Sequence, residues 1–154
     1  MTQRHPTPHY LITLFTADRR PIFSLFKNAR IAIRALQLSD AKGASKTVSF
    51  VVMPDHLHWL MQPQADVELA KVIASVKQDS ASSIQERQNH DLAIWQNTHH
   101  SQQLKLSEDI QRVAHLVVNT PSRASLVTDI AFYPHWDNVY LGTTPKNEGD
   151  VAKK

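Results

Sequence analysis

Two histidines, His56 and His58, stand two residues apart inside an apolar run that extends from Val51 to Met61. If this run forms a β-strand, successive side chains alternate between the two faces of the sheet, so both imidazoles lie on one face. Neighbouring imidazoles are common ligands of divalent metal ions. A metal site also needs a third ligand and contacts that orient the imidazoles. The spacing alone therefore fits a metal site, and it equally fits two polar residues on the wetter face of a sheet.

Length and composition limit what kind of protein can hold these histidines. The chain has 154 residues, 42% of them hydrophobic, which predicts a single domain spanning residues 1–154. It contains no cysteine, so a metal must be held by His, Asp, Glu, Asn or Gln. No apolar run is long enough for a membrane helix, and the N-terminus lacks a signal-peptide core, so we expect a cytoplasmic protein with no membrane association. The net charge of +3 permits contacts with phosphates without requiring them.

The apolar pattern predicts the order strand, helix, strand, strand, helix and short strand, followed by a further helix. The two strands around Pro54 and Asp55 are joined so tightly that they should form an antiparallel hairpin. The predicted strands are 9–16, 47–53 and 56–61, with a short strand or extended segment at 91–96. The predicted helices are 28–38, 67–88 with Asp66 as N-cap, and a last helix that runs from its cap Ser107 to about 119. We expect 97–105 to be a loop, 126–133 a last strand or short helix, and 133–136 a turn.

This order of elements predicts an α+β fold of the ferredoxin-like kind, an antiparallel sheet with helices packed on one face. We expect an ordered core over about residues 9–141 and a disordered tail over 142–154. The histidines then point either into the open face of the sheet or into a groove beneath the last helix.

Residues 53–60 resemble the His-hydrophobic-His motif of the single-tyrosine HUH transposases, the IS200-like family. The sequence is most similar to the REP-associated tyrosine transposases of bacteria. Further blocks follow in the family's order and span residues 10–141, namely 10–23, 94–96, 121–127 and 133–137.

The resemblance implies that His56 and His58 hold a Mg²⁺ or Mn²⁺ ion together with one amide or carboxylate ligand. It implies that the ion polarises the scissile phosphate of single-stranded DNA, and that a tyrosine attacks to form a 5′-phosphotyrosine link. The DNA would be a hairpin formed by repetitive extragenic palindromes, and the protein would act as a monomer. Arg19, Arg20 and Arg123 lie in matching blocks and would contact phosphates, although each arginine also fits an ordinary exposed position.

The expected nucleophile departs from the family pattern. Alignment without gaps through Arg123 places Leu116 at the tyrosine position and Thr120 at the position of an asparagine ligand. A slip by one residue instead pairs His115, as a stand-in for the tyrosine, with Asn119 as the third metal ligand, both on an exposed helix face. The resemblance thus implies either metal-dependent cleavage and strand transfer at hairpin repeats, or a catalytically inactive, structure-specific DNA-hairpin binder or decaying transposase copy.

Overall fold

The computed structural model describes residues 7–105 and 109–120, together with the backbone of residues 136–138. Two short 3₁₀ turns, Ala17–Arg19 and Ile22–Ser24, follow the first strand. The strands are β1 Tyr10–Phe15, β2 Ser45–Met53, β3 His56–Pro63, β4 His100–Gln103 and β5 Trp136–Asn138, and the helices are α1 Phe26–Ala41, α2 Leu69–Gln88 and α3 Ile110–Val118. None of the helices in this described part is long and apolar enough to cross a membrane.

The strands form one antiparallel sheet in the order β4-β1-β3-β2-β5. The first four strands have the ferredoxin-like arrangement, so the predicted fold class is confirmed. As expected for a strand with apolar residues on both faces, β1 lies inside the sheet, between β4 and β3. The segment around Trp136 was predicted to be a turn, but residues 136–138 form β5 and pair with the outer edge of β2.

The hairpin of β2 and β3 sets the direction in which the histidines point. Met53 pairs with His56, so the loop consists of Pro54 and Asp55 alone. Two-residue loops fix the register of a hairpin, and a slip of one residue would move every side chain to the other face. The predicted antiparallel hairpin is therefore confirmed, and its register places both histidines on one face.

Each face of the sheet has its own apolar core. Leu57, Trp59 and Met61 point to one face, where helices α1 and α2 cover them. Leu60 points to the opposite face, together with the histidines, and packs there against α3. The residues of α3 in this second core are Val113, Ala114 and Val117. Of the two alternatives for the histidine-bearing face, the structure thus shows a face that is partly covered by the last described helix.

Two predictions about the ends of helices are wrong. Asp66 does not cap α2, because it lies in a turn with φ of 70° and the helix begins at Leu69 after Glu68. The N-cap of α3 is Asp109, whose side chain accepts a hydrogen bond from the backbone N–H of Arg112. Ser107, the predicted cap, lies outside the described residues.

The position of the fourth strand is also wrong. Residues 91–96 are not a strand, and only Trp95 forms an isolated bridge, with Thr16. The strand lies instead at His100–Gln103, inside the segment predicted to be a loop. The predictions for residues 121–135 and for the tail at 142–154 fall outside the described residues.

Candidate functional site

His56 and His58 lie side by side on the face of β3 that α3 partly covers. His56 pairs with Phe15 of β1, and His58 pairs with Thr13. The centroids of the two imidazole rings are 4.8 Å apart and the rings are nearly perpendicular. The prediction that both rings share one face is confirmed, because period-2 alternation in a regular strand leaves no other arrangement.

The Nδ1 atom of each imidazole has a specific partner. Nδ1 of His56 lies 2.8 Å from Oδ1 of Asp55, and Nδ1 of His58 lies 3.1 Å from Oγ1 of Thr13. An ionised carboxylate can only accept a hydrogen bond, so Nδ1 of His56 is the donor to Asp55. Contacts of this kind orient the imidazoles that bind metals in proteins and direct Nε2 to the metal.

Asp55 is held in turn by Arg19. Nε and Nη2 of Arg19 lie 3.0 Å and 2.9 Å from Oδ2 of the carboxylate. Burial alone would raise the pKa of Asp55, but hydrogen bonds and charge from His56 and Arg19 outweigh it and lower that pKa. The guanidinium of Arg19 also stacks over the ring of Phe15, 4.4 Å from its centroid. Asp55 is therefore ionised at neutral pH and bonded on both of its oxygens.

The segment that follows β1 is fastened to the hairpin loop. The backbone N–H of the fully buried Thr16 donates to the carbonyl of Asp55 over 3.0 Å, and the N–H of Phe23 donates to the carbonyl of Pro54 over 2.9 Å. Asp18 and Arg19 both have left-handed backbone angles, with φ of 55° and 53°. This strained turn places the Arg19 side chain against Asp55. The matching block at residues 10–23 thus has a structural role, because it positions the loop beside the histidines.

A third histidine, His100, lies on the same face of the sheet at its outer strand. It pairs with Thr13, and its ring meets the ring of Phe15 edge-on at 5.4 Å. Nζ of Lys77 donates to the carbonyls of Gln96 and Thr98 and so holds the segment that leads to β4. Burial is the largest cause that lowers the pKa of the neighbouring His99, and the charges of Lys77 and His100 lower it further.

The candidate residues on α3 differ in their surroundings. Leu116 is 43% exposed, whereas His115 and Asn119 are half-buried rather than exposed as expected. Nδ2 of Asn119 donates to the carbonyl of His115 over 2.9 Å, which leaves its Oδ1 as the atom suited to a metal. The hydroxyl of Thr120 donates to the carbonyl of Val117 over 2.8 Å and so completes the end of the helix.

The histidine face does not assemble a full set of metal ligands from ionisable side chains. Within residues 7–105 and 109–120, no three His, Asp or Glu side chains stand close enough to hold one ion. Among these described residues, a third ligand would therefore be an amide or a hydroxyl, and the substrate could supply one as well. Tyr10 supplies no nucleophile, because it packs against the core on the opposite face and its hydroxyl donates to Gln103.

The predicted DNA-binding arginines divide into different structural roles. The side chain of Arg19 is 52% exposed beside the histidines. Arg20 instead donates to the backbone carbonyls of Ala17 and Ala93, which links the turn after β1 to the segment before Trp95. Arg123 lies outside the described residues.

Sequence reasoning missed two side chains that orient the histidines. The sequence places Asp55 in the hairpin turn and in the matching block at 53–60, and Thr13 in the first strand, without indicating that either orients a histidine. The one available signal for Asp55 was its position next to His56 in the sequence. Its ion pair with Arg19 joins residues far apart in the chain, so no local pattern reveals it.

Comparisons with known proteins agree with the fold described above. The family model described as "Transposase IS200 like" matches residues 6–117. No curated protein matches the chain. A solved structure of a REP-associated tyrosine transposase bound to a REP hairpin matches with a TM-score of 0.68 and 16% identity, over 100% of this chain and 94% of that one. The crystal structure of a putative transposase from Deinococcus radiodurans R1 matches with a TM-score of 0.56 and 16% identity, over 82% of this chain and 92% of that one. The two solved structures share the fold of this chain. The family model covers most of the length of the chain, so the chain belongs to the IS200-like transposase family, whose function is DNA transposition.

Proposed function

We propose that this protein binds hairpins of single-stranded DNA on its histidine face and holds a Mg²⁺ or Mn²⁺ ion between His56 and His58. The proposal rests chiefly on one observation, the pair of adjacent imidazoles whose Nδ1 atoms are engaged by Asp55 and Thr13. Hydrogen bonds to Nδ1 commonly orient imidazoles that bind a metal through Nε2, whereas two polar histidines on a surface do not require them.

The choice of Mg²⁺ or Mn²⁺ follows the family resemblance, and amide and hydroxyl oxygens are ligands that these ions accept. His56 and His58 would bind through Nε2, and Oδ1 of Asn119 is our choice for the third ligand, with Thr120 as the alternative. An ion bound there would polarise a phosphate oxygen of the DNA. The absence of cysteine from the chain removes the thiolates that favour softer metals.

We propose that DNA contacts come from Arg19, which is half-exposed next to the site. Its paired carboxylate fixes the guanidinium in place, so a phosphate meets an ordered donor. Arg20 acts through its backbone contacts and supports the turn, and Arg123 is assigned to phosphate binding on the family resemblance alone. The bound DNA would be a REP-type hairpin, as in the similar solved structure, and the protein would be a monomer.

Covalent cleavage is the step that the residues on α3 support least. The side chain of Leu116, at the position expected for tyrosine, has no atom that can attack a phosphate. In the described residues no tyrosine lies on the histidine face. We therefore propose hairpin binding without formation of a phosphotyrosine link.

Metal-dependent cleavage and strand transfer is the second candidate function. The contacts of Asp55 and Thr13 with the two imidazoles support this candidate as well, because a metal ion held by oriented imidazoles could activate the scissile phosphate. In that case the nucleophile would be His115 or a tyrosine from the part of the chain beyond residue 120.

One experiment separates the two candidates. The protein is incubated with a labelled single-stranded oligonucleotide that folds into a palindromic hairpin, in Mn²⁺ or in EDTA. Binding is measured by fluorescence anisotropy, and covalent adducts are sought on a denaturing gel. Hairpin binding that weakens with salt and gives no adduct supports the proposal. An adduct that requires Mn²⁺ supports cleavage, and equal affinity for hairpin and unstructured strands refutes hairpin recognition.

A further inference from the structure

Three residues form a continuous chain of polar contacts that ends on one imidazole of the candidate site. Arg19 contacts Oδ2 of Asp55 through two nitrogens, at 3.0 Å and 2.9 Å. The other carboxylate oxygen, Oδ1, contacts Nδ1 of His56 at 2.8 Å. Both oxygens of Asp55 are thus bonded, each to a different partner.

We infer that Asp55, locked by Arg19, is a positioning residue that fixes His56 as its Nδ1–H tautomer and keeps the lone pair of Nε2 for a ligand. A neutral imidazole carries one N–H, and the hydrogen bond made by one nitrogen decides which nitrogen accepts. Free imidazole side chains prefer the Nε2–H form, which cannot bind a metal through Nε2. The carboxylate reverses this preference because it accepts a hydrogen bond only from Nδ1–H.

The role of Arg19 follows from its own surroundings. A carboxylate with a side chain 29% exposed can rotate toward solvent unless something holds it. Arg19 is fixed from two sides, by its stacking over Phe15 and by a left-handed backbone angle that few non-glycine residues adopt. Strained angles persist where the surrounding structure requires them. Here the strained backbone angle places the guanidinium of Arg19 against Oδ2 of Asp55.

The aromatic ring between these groups completes the arrangement. Phe15 carries Arg19 on its face, and its ring centroid lies 5.6 Å from that of His56. The imidazole is therefore packed against Phe15 and His58 and bonded at Nδ1. Because the side chain of His56 is only 17% exposed, these contacts leave little freedom to turn the ring over.

The inference rests on the proposed function only where it concerns the metal, since the tautomer is a property of the protein without metal. The test therefore has two readouts on the full-length chain. Long-range ¹H–¹⁵N NMR spectra at pH 8 in EDTA report the tautomer of His56, which is assigned by comparison with His56→Gln. Electron paramagnetic resonance titration reports the Kd for Mn²⁺.

The variants are Asp55→Ala, Asp55→Asn and Arg19→Gln, with Asp79→Ala as the matched control. Asp79 is another carboxylate in an ion pair, 3.6 Å from Lys42, on helix α2, which packs on the face of the sheet opposite the histidines. We expect the Nδ1–H form in the wild type and the Nε2–H form in Asp55→Ala, with Mn²⁺ bound about 10–100-fold more weakly. Asp55→Asn keeps an accepting oxygen and should retain the Nδ1–H form, Arg19→Gln should give a mixture, and Asp79→Ala should match the wild type.

Two results would overturn the inference, a wild-type His56 in the Nε2–H form or an Asp55→Ala variant with an unchanged tautomer. If Asp55→Ala does not fold, Arg19→Gln decides, because a wild-type tautomer in that variant contradicts locking by Arg19. If the wild type and Asp55→Ala differ in tautomer as expected but the wild type binds no Mn²⁺, the positioning role is supported and the metal in the proposed function is refuted.

Discussion

Replacing Ser80 with alanine tests how the segment around Trp95 is fastened to the rest of the fold. Ser80 is fully buried in α2, and its Oγ accepts a hydrogen bond from Nε1 of Trp95 over 2.9 Å. Trp95 packs on Phe23. On either side of it, Gln96 bonds to Phe15 at the end of β1 and Ile94 bonds to Ala17 in the turn that follows. This one hydroxyl therefore helps to connect α2 with the turn that supports the histidines.

The size of the effect follows from what is left unpaired. Ser80→Ala leaves the indole N–H of Trp95, which is 7% exposed, without its acceptor, and such a loss costs about 1–3 kcal/mol. The hydroxyl also donates to the carbonyl of Val76, but that carbonyl keeps its helical partner, so this bond adds little. Alanine is the better helix former by about 0.5 kcal/mol. The net loss in the free energy of unfolding should be about 0.5–2.5 kcal/mol.

Urea denaturation followed by circular dichroism measures this loss, with Ser83→Ala as the control. Ser83 is exposed on the same helix, so its replacement brings the gain in helix propensity without the lost hydrogen bond. We expect Ser80→Ala to be less stable than Ser83→Ala by about 1–3 kcal/mol, which corresponds to a Tm lower by roughly 2–4 °C for each kcal/mol. Equal stability of the two variants would refute the role assigned to this hydrogen bond.

Three further predictions concern Thr16, the partly buried histidines His9 and His99, and helix α3. Thr16→Val should lower the free energy of unfolding by only about 1 kcal/mol in urea denaturation. The carbonyls of Arg20 and Asp55, which accept from the Thr16 hydroxyl, keep backbone N–H donors in the variant. A loss above about 3 kcal/mol would contradict this. The pKa of His9 is lowered by burial and by Lys46, and that of His99 by burial, Lys77 and His100, so both protonate more readily when unfolded. The contribution of these histidines to stability should therefore be full above the ordinary histidine pKa of 6.5 and fall as the pH drops below it. In urea titrations from pH 8 to 5, the double variant His9→Gln/His99→Gln should show a smaller change of stability with pH. An unchanged slope would show that neither histidine is responsible. Leu116→Tyr should restore a Mn²⁺-dependent covalent adduct with hairpin DNA, whereas His115→Tyr should not, and the reverse outcome on denaturing gels would favour the alignment shifted by one residue.

The parts of the fold that the sequence predicted well are those with a strong apolar period. The alternation of Leu57, Trp59 and Met61 with the histidines predicted both faces of β3, because a two-residue turn leaves only one register. The buried side of α2 was predicted from apolar residues at helical spacing, and Val72, Ile73 and Val76 are indeed in the core. Burial of apolar area decides these elements, and apolar residues are visible in any sequence.

The errors fall where polar residues make up the element. Strand β4 consists of four exposed polar residues, from His100 to Gln103, and exists because the edge of β1 offers unpaired backbone groups. Asp66 has a side chain typical of an N-cap, but aspartate also tolerates the left-handed turn that it adopts here. Side-chain type alone does not separate these outcomes.

The candidate site shows the same division. His56 and His58 share a face because of local geometry, which the sequence reveals. The contacts that orient them come from Thr13 and, through Asp55, from Arg19, and they depend on how β1 and its following turn meet the hairpin. Such long-range contacts appear only once the strands are paired in register.

The most direct test of the account is to locate Mn²⁺ in crystals of the full-length protein grown with a palindromic DNA hairpin. Anomalous scattering collected at the manganese edge identifies the ion independently of any assumption about its ligands. If the histidine pair holds the ion, one strong peak lies within bonding distance of Nε2 of both His56 and His58, with the hairpin on the same face of the sheet. A peak elsewhere, or a hairpin bound against α1 and α2 on the opposite face, would contradict the proposed function.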